Sequence, residues 1–196
     1  MDLIELRTDA TIFRPAGPHR SEGCHVSEII RSIENDVTRP GKRKPISELT
    51  GEERRRMGAY VHGGFAWEEI IRRAVVEMYL ASEDRFMSPG EFELDGIYGT
   101  PDWIDTEDWA IEEFKCTWRS SRRPITENFW AWWVQIKAYC RMAGVETARL
   151  RVFFVNGDYR ESGPQIKMYQ ASFTDEELKD NWHMLLEHAR EKGWVK

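Results

Sequence analysis

The chain has little cysteine. Cys24, Cys116 and Cys140 are all that 196 residues carry. An odd, scattered trio builds no disulfide framework and has no zinc or iron–sulfur spacing, so a reducing, intracellular compartment is expected. Long apolar runs are missing, and none approaches the roughly 20 residues that cross a bilayer. The opening MDLIELRTDATIF has neither a basic leader nor an apolar stretch, so no signal peptide is expected and the location read from the sequence is cytoplasmic. No G-x-x-x-x-G-K-[ST] loop occurs, and Gly63-Gly64 is too short to cradle a phosphate, so no ATPase motor of that type is built in. His183 and His188 are five apart, whereas two metal ligands on one helical face need a spacing of four, which argues against a zinc hydrolase. Positive charge is in deficit, with 28 Lys and Arg against 34 Asp and Glu and a net charge of -6. That excludes a generally basic protein and leaves room for a local basic patch.

What is present suits one globular domain: 41% hydrophobic residues, 32% charged residues, and nine tryptophans, most of them expected in packing. HVSEIIRSIEND predicts a helix over 25–36, followed by the basic loop TRPGKRKP. Thr50 and Glu53 have capping-box spacing and open a long helical segment interrupted by glycines at 58, 63 and 64. Its apolar stripe runs Val61, Phe65, Ile71, Val75, Met78, and Glu68 lies on that stripe while Glu69 points away over Arg73. An acid on a core-facing line is expensive to bury without a partner. EFELDGIY, TPDWID and WAIEEFKCTW predict three short strands, with turns at Asp95-Gly96 and Thr106 to Asp108. ITENFWAWWVQIKAYCRMAG predicts a single helix capped by Gly144, ARLRVFF and QIKMYQASF predict a strand pair, and Thr174 with Glu177 opens a last helix closed by Gly193. The order implies a single α/β (α+β) domain with a central mixed sheet flanked by helices.

The chemistry concentrates in GTPDWIDTEDWAIEEFKCTW. Residues two apart on a strand share a face, so Trp109, Ile111, Glu113 and Lys115 line one side and Ala110, Glu112, Phe114 and Cys116 the other. If Asp102 ends the neighbouring strand, its carboxylate reaches Glu113. Two such carboxylates repel unless a cation lies between them. Oxygen ligands of this kind suit Mg²⁺, which takes one or two carboxylates and keeps its waters. A lysine beside them can act on a water or on developing phosphorane charge.

Together, GTPDWID and EEFKCTW resemble the PD-(D/E)XK nuclease signature, and the E-F-K-C run is most similar to the phage lambda exonuclease and RecB-like branch. GFAWE resembles that branch's G-x-x-x-E helix and QIKAY its Q-x-x-x-Y helix, so the similarity spans about Gly58 to Phe173. The resemblance implies a restriction-endonuclease-like core over 50–196, with 1–49 as an N-terminal extension of short helix and basic loop. It implies Asp102 and Glu113 as primary ligands of Mg²⁺ or Mn²⁺, joined by the backbone carbonyl of Phe114 and by Glu68. Lys115 would position or activate water and Gln135 would orient water or phosphate. GAYVH also fits a G-x-x-x-H variant, so His62, Glu68 or both could serve as ligands. No iron–sulfur cluster is expected, since no cysteine follows Cys140.

KCTWRSSRR carries four positive charges and no acid directly after the Lys115 strand. Arg119, Ser120, Arg122 and Arg123 are therefore candidate DNA contacts, with Tyr139 added by the resemblance. Phe129, Trp130, Trp132 and Trp133 read as core and its edge, with stacking on an unpaired base as the alternative. No recognition-helix motif is apparent, so a sequence-independent nuclease is expected, and the resemblance implies an exonuclease acting on double-stranded DNA ends in phage-type recombination, leaving a 5′ phosphate. It also implies a homo-oligomer and an annealing protein as partners. An endonuclease or nickase, or a DNA-binding protein that does not cut, remain the alternatives.

Overall fold

The computed structural model describes residues 21–38, 50–54, 85–160 and 163–196, together with 57, 58, 63, 64, 66, 67, 69, 70 and 73. A short strand β1 (Cys24–His25) runs into helix α1 (Val26–Thr38). The described residues of 51–73 are helical, and the Thr50–Glu53 capping box forms in both directions, at 2.8 and 3.2 Å. Glu69 accepts from Arg73 at 3.0 Å on an exposed helix face, as expected. The stripe of Val61, Phe65, Ile71, Val75 and Met78 lies outside the described residues.

Strands follow: β2 (Phe86–Met87), β3 (Phe92–Leu94), β4 (Ile97–Gly99), β5 (Trp103–Asp105) and β6 (Ala110–Thr117). EFELDGIY is a hairpin rather than one strand. Asp95 (φ 52) and Gly96 (φ 78) both take positive φ, the two-residue turn that matches the twist of antiparallel strands. The two-residue β2 has too short a pattern to stand out in the sequence. The expected helix from Ile125 is broken into α2 (Ile125–Asn128) and α3 (Trp130–Ala143) at Phe129, whose φ of -132 leaves the helical region. Burial drives that break: Phe129 is a core residue that stacks on Trp132. Gly144 caps α3 at φ 69, as expected. The chain ends with β7 (Thr147–Phe154), β8 (Gln165–Ser172) and α4 (Asp175–Glu191), the last opened by the expected Thr174–Glu177 capping box.

Five strands form a mixed sheet in the order β2-β5-β6-β7-β8, parallel only at β6–β7, and three form a small sheet β1-β4-β3. One face of the main sheet is covered by α1, α3 and α4 around Ile111, Leu150, Val152, Ile136 and Leu185. The other carries Trp103, Phe114 and Phe153, with Trp67 stacked on Phe153 at 4.2 Å. This is the mixed sheet flanked by helices that the element order implied. Val26, Ile29 and Ile30 of α1 sit in the same core as Ile111 and Leu150, and β1 pairs with β4. Among the described residues no helix is long and apolar enough to cross a membrane.

Behind the sheet lies a charge network. Asp105 and Glu112 are fully buried. Arg85 donates to Asp105 through Nη2 at 2.7 Å, and Arg149 to Asp105 at 2.8 Å and Glu112 at 3.0 Å. Arg151 Nε reaches Glu112 at 2.8 Å. Burial raises the Asp105 carboxyl, but the Arg85 and Arg149 guanidiniums and the Asp108 and Glu107 amides outweigh it and hold it below its ordinary value. A lowered carboxyl stabilises the fold above its unfolded value, and that stability is lost as pH falls through the folded one. Asp105→Asn should therefore cost about 3 kcal/mol at pH 7, near the low end for breaking a buried pair, because both arginines keep other carboxylates. The gap between wild type and variant should begin to narrow below about pH 4 and go on narrowing as pH falls further. Denaturant melts from pH 3 to 8 check this; a gap independent of pH would contradict it.

Candidate active site

β6 places the expected residues by its two-residue period. Glu113 and Lys115 extend the row of Ile111 into the layer under α3, so Glu113 is only 2% exposed. Trp103 pairs with Glu112, and continuing that register sets Asp102 across from Glu113. Asp102 is fixed there because its Oδ2 accepts from the Phe114 N–H at 2.8 Å. In a strand, a residue's N–H and C=O point to the same edge, so the Phe114 carbonyl faces the Asp102 side too. Lys115 Nζ donates to Glu113 Oε1. Glu113 Oε2 has no hydrogen-bond partner among the described residues.

Electrostatics follow from this burial. Desolvation pushes the Glu113 carboxyl up to about 7; the Asp102 charge adds to the rise and Lys115 opposes it. Burial also works against a charged Lys115, but Glu113 and Asp102 outweigh it and hold the ammonium protonated. Tyr139 is raised by burial and then by Glu113. Cys140 is pushed up to about 12 by burial, with Glu113 adding, so it is an inert thiol.

α3 supplies the cover. Gln135 Nε2 donates to the Tyr139 hydroxyl at 2.7 Å, one helical turn away. Tyr139, expected as a DNA contact, is 4% exposed and lies within the cover that α3 supplies. Of the loop candidates, Ser120 is buried and its Oγ accepts from the Arg122 N–H at 3.3 Å. Arg119 donates to the Asn128 carbonyl at 2.7 Å, Arg122 to Asp158 at 3.2 Å, and Arg123 to Asn128 Oδ1 at 3.4 Å. All three arginines remain exposed. Glu68 and His62 lie outside the described residues.

The fit to a divalent cation can be judged from these groups. No cluster of three or more His, Cys, Asp or Glu placed for a metal occurs among the described residues. Two carboxylates with a backbone carbonyl on the same side suffice for an ion that keeps its waters. A buried carboxylate oxygen with no proton donor is the feature such an ion would satisfy.

Three contributors were not picked out from the sequence. Gly99 opens the GTPD run because α3 crosses there: a Cβ would meet Tyr139 Cε1 at 2.9 Å and Met142 Sδ at 2.8 Å. Arg149 and Arg151 sit two apart in ARLRVFF, and that spacing alone could have flagged a shared charged face.

No family model matches the chain, and no curated protein matches it either. Solved structures do. A phage-related exonuclease from Haemophilus somnus 129PT superposes with a TM-score of 0.53 at 15% identity, covering 84% of this chain and 79% of that one. The alkaline exonuclease LHK-Exo from Laribacter hongkongensis, in complex with dAMP, superposes with a TM-score of 0.51 at 12% identity, covering 86% and 87%. The chain therefore shares the fold of these two exonucleases, the fold that the sequence resemblance implied.

Gly99→Ala should push Tyr139 away from Gln135 and cost about 1–3 kcal/mol by overpacking. Thermal melts with near-ultraviolet circular dichroism, which reads Tyr139's surroundings, check this; an unchanged melt and spectrum would show that α3 has slack.

Proposed function

We propose that the protein is a metal-dependent deoxyribonuclease that hydrolyses phosphodiester bonds from DNA ends. The observation that carries this is the buried Glu113 facing Asp102 across the β5–β6 turn, with one oxygen on Lys115 and the other without a hydrogen-bond partner among the described residues. The shared fold with two exonucleases, one bound to dAMP, supports the end-directed form of the reading.

Asp102, Glu113 and the Phe114 carbonyl would hold Mg²⁺ or Mn²⁺, with Glu68 or His62 as the further ligand that the sequence resemblance implies. The ion supplies Lewis-acid stabilisation of phosphoryl charge and a more acidic water. Lys115, kept protonated by its two carboxylate neighbours, works as a cation: it donates to the attacking water or to a phosphoryl oxygen, and it takes no proton while so paired. Gln135, tethered to Tyr139, offers its amide oxygen at the helix side of the site. The basic loop with Arg119, Arg122 and Arg123 gives the backbone of DNA a landing surface directly past the strand. An exonuclease in phage-type recombination follows from the same resemblance, with an annealing protein as partner.

Linear end-labelled duplex and covalently closed circles, incubated with Mg²⁺, Mn²⁺ or EDTA, test the proposal. Wild type should degrade linear DNA with metal only, and Lys115→Ala and Asp102→Ala should each lose at least about 100-fold. Mn²⁺ should raise the melting temperature of wild type and not of Glu113→Gln. Cutting of closed circles at the linear rate would replace the exonuclease with an endonuclease. Folded wild type that binds ends and cuts with neither metal would overturn the proposal in favour of a DNA-binding protein.

A further inference from the structure

A cleft of about 660 Å³ opens where β6 ends, between α1 and the start of α3. Thr117 forms part of its wall. Thr117 follows Lys115 by two residues on the same face, so the cleft begins about 7 Å beyond the lysine along the strand. It lies at the carboxyl end of the parallel pair β6–β7, the end at which open α/β sheets take ligands.

Its lining is mixed in a particular way. Phe129 and Trp132 stack at 4.1 Å with 23° between their planes and line its inner side. Trp130 beside them is 41% exposed, and Val37 on α1 is 75% exposed. Arg119 sits over the Phe129 ring, Cζ 5.4 Å from its centroid, and its bond to the Asn128 carbonyl holds it in place. Aromatic faces with a fixed guanidinium fit a flat, apolar-faced group attached to a single anion. The acids Glu34 and Glu127 also line the cleft, so phosphate is admitted only on the Arg119 side.

We propose that this cleft receives the base of an unpaired nucleotide from the strand whose phosphate lies at Lys115, with the base against Trp130 and the adjoining phosphate on Arg119. The inference rests on the nuclease reading for the identity of the strand. A paired base has both faces covered by its neighbours in the stack and cannot enter, so the site selects a frayed or single-stranded end. Continuity with Lys115 through Thr117 favours this occupant over a free nucleotide.

The test is fluorescence anisotropy of labelled single-stranded oligonucleotides in EDTA, where no cutting occurs. Trp130→Ala should weaken binding roughly tenfold, the loss expected for one stacked base. An abasic nucleotide at one position near the end should weaken wild type by a similar factor and Trp130→Ala hardly further. Val37→Asp, at an exposed rim position, should weaken binding several-fold with an unchanged melt, which keeps the test open if Trp130→Ala misfolds. Unchanged affinity of both variants, or losses from variant and abasic site that simply add, would overturn the proposal. So would a change in sedimentation of Trp130→Ala with oligonucleotide binding intact, which would make the cleft an interface between copies. The two readings fail separately. Base-dependent binding by a protein that cuts nothing removes the nuclease and keeps the cleft; cutting without base dependence does the reverse.

Discussion

The structure is organised around one awkward group: a carboxylate on the core row of its central strand. Ile111, Glu113 and Lys115 point into one layer, and α1, α3 and α4 seal that layer from water. Desolvating such a charge costs several kcal/mol even after relaxation. Lys115 offsets part of that cost through one oxygen, and the other is left without a donor among the described residues. A group in that condition persists only where its surroundings hold it. The Phe114 amide holds Asp102, Gln135 holds Tyr139, and Gly99 lets α3 come close enough to cover them.

Glu112, its neighbour in sequence, makes the contrast. It is equally buried, on the opposite face, yet Arg149 and Arg151 both donate to it. Asp105 nearby is saturated in the same way by Arg85 and Arg149. A fully paired network behind the sheet ties β2, β5, β6 and β7 into one register. That register sets where Asp102 stands relative to Glu113. One buried acid is thus satisfied and structural, and the next is left half satisfied with a cation at its side. Adjacent residues with opposite electrostatic fates set this strand apart from an ordinary salt-bridged one.

Much of this was legible from local rules, because local rules produced it. The period of two put Glu112 and Glu113 on opposite faces, the spacing of four put Gln135 against Tyr139, and the Thr174–Glu177 box and Gly144 bounded their helices. What stayed hidden depended on distant partners. Arg149 and Arg151 meet Glu112 from 37 and 39 residues away, and nothing near Glu112 announces them. The break at Phe129 comes from the pull of the core on one ring, against a sequence whose helical pattern runs straight through it. Gly99 reads as a turn residue until α3 is seen crossing it. Val26, Ile29 and Ile30 join the main core although their stretch of sequence is set off by a basic loop.

The break at Phe129 also links the chemistry to the cleft. α3 carries Gln135 and Tyr139 over Glu113 and, one to two turns earlier, Trp130 and Trp132 beside the end of β6. A helix shifted by one residue would turn each side chain by about 100°, and Tyr139 could not then face Glu113 while Trp132 faced Phe129. The shift is resisted from the far side, where the largely buried Asn181 of α4 donates to the Val134 carbonyl at 3.1 Å, between the two groups of residues. One helix, docked by one buried amide, therefore sets both the cover of the carboxylate and the wall against which a base would stack. The distance between a cut phosphate and the nucleotide beyond it would then be fixed by the rise of a single rigid element.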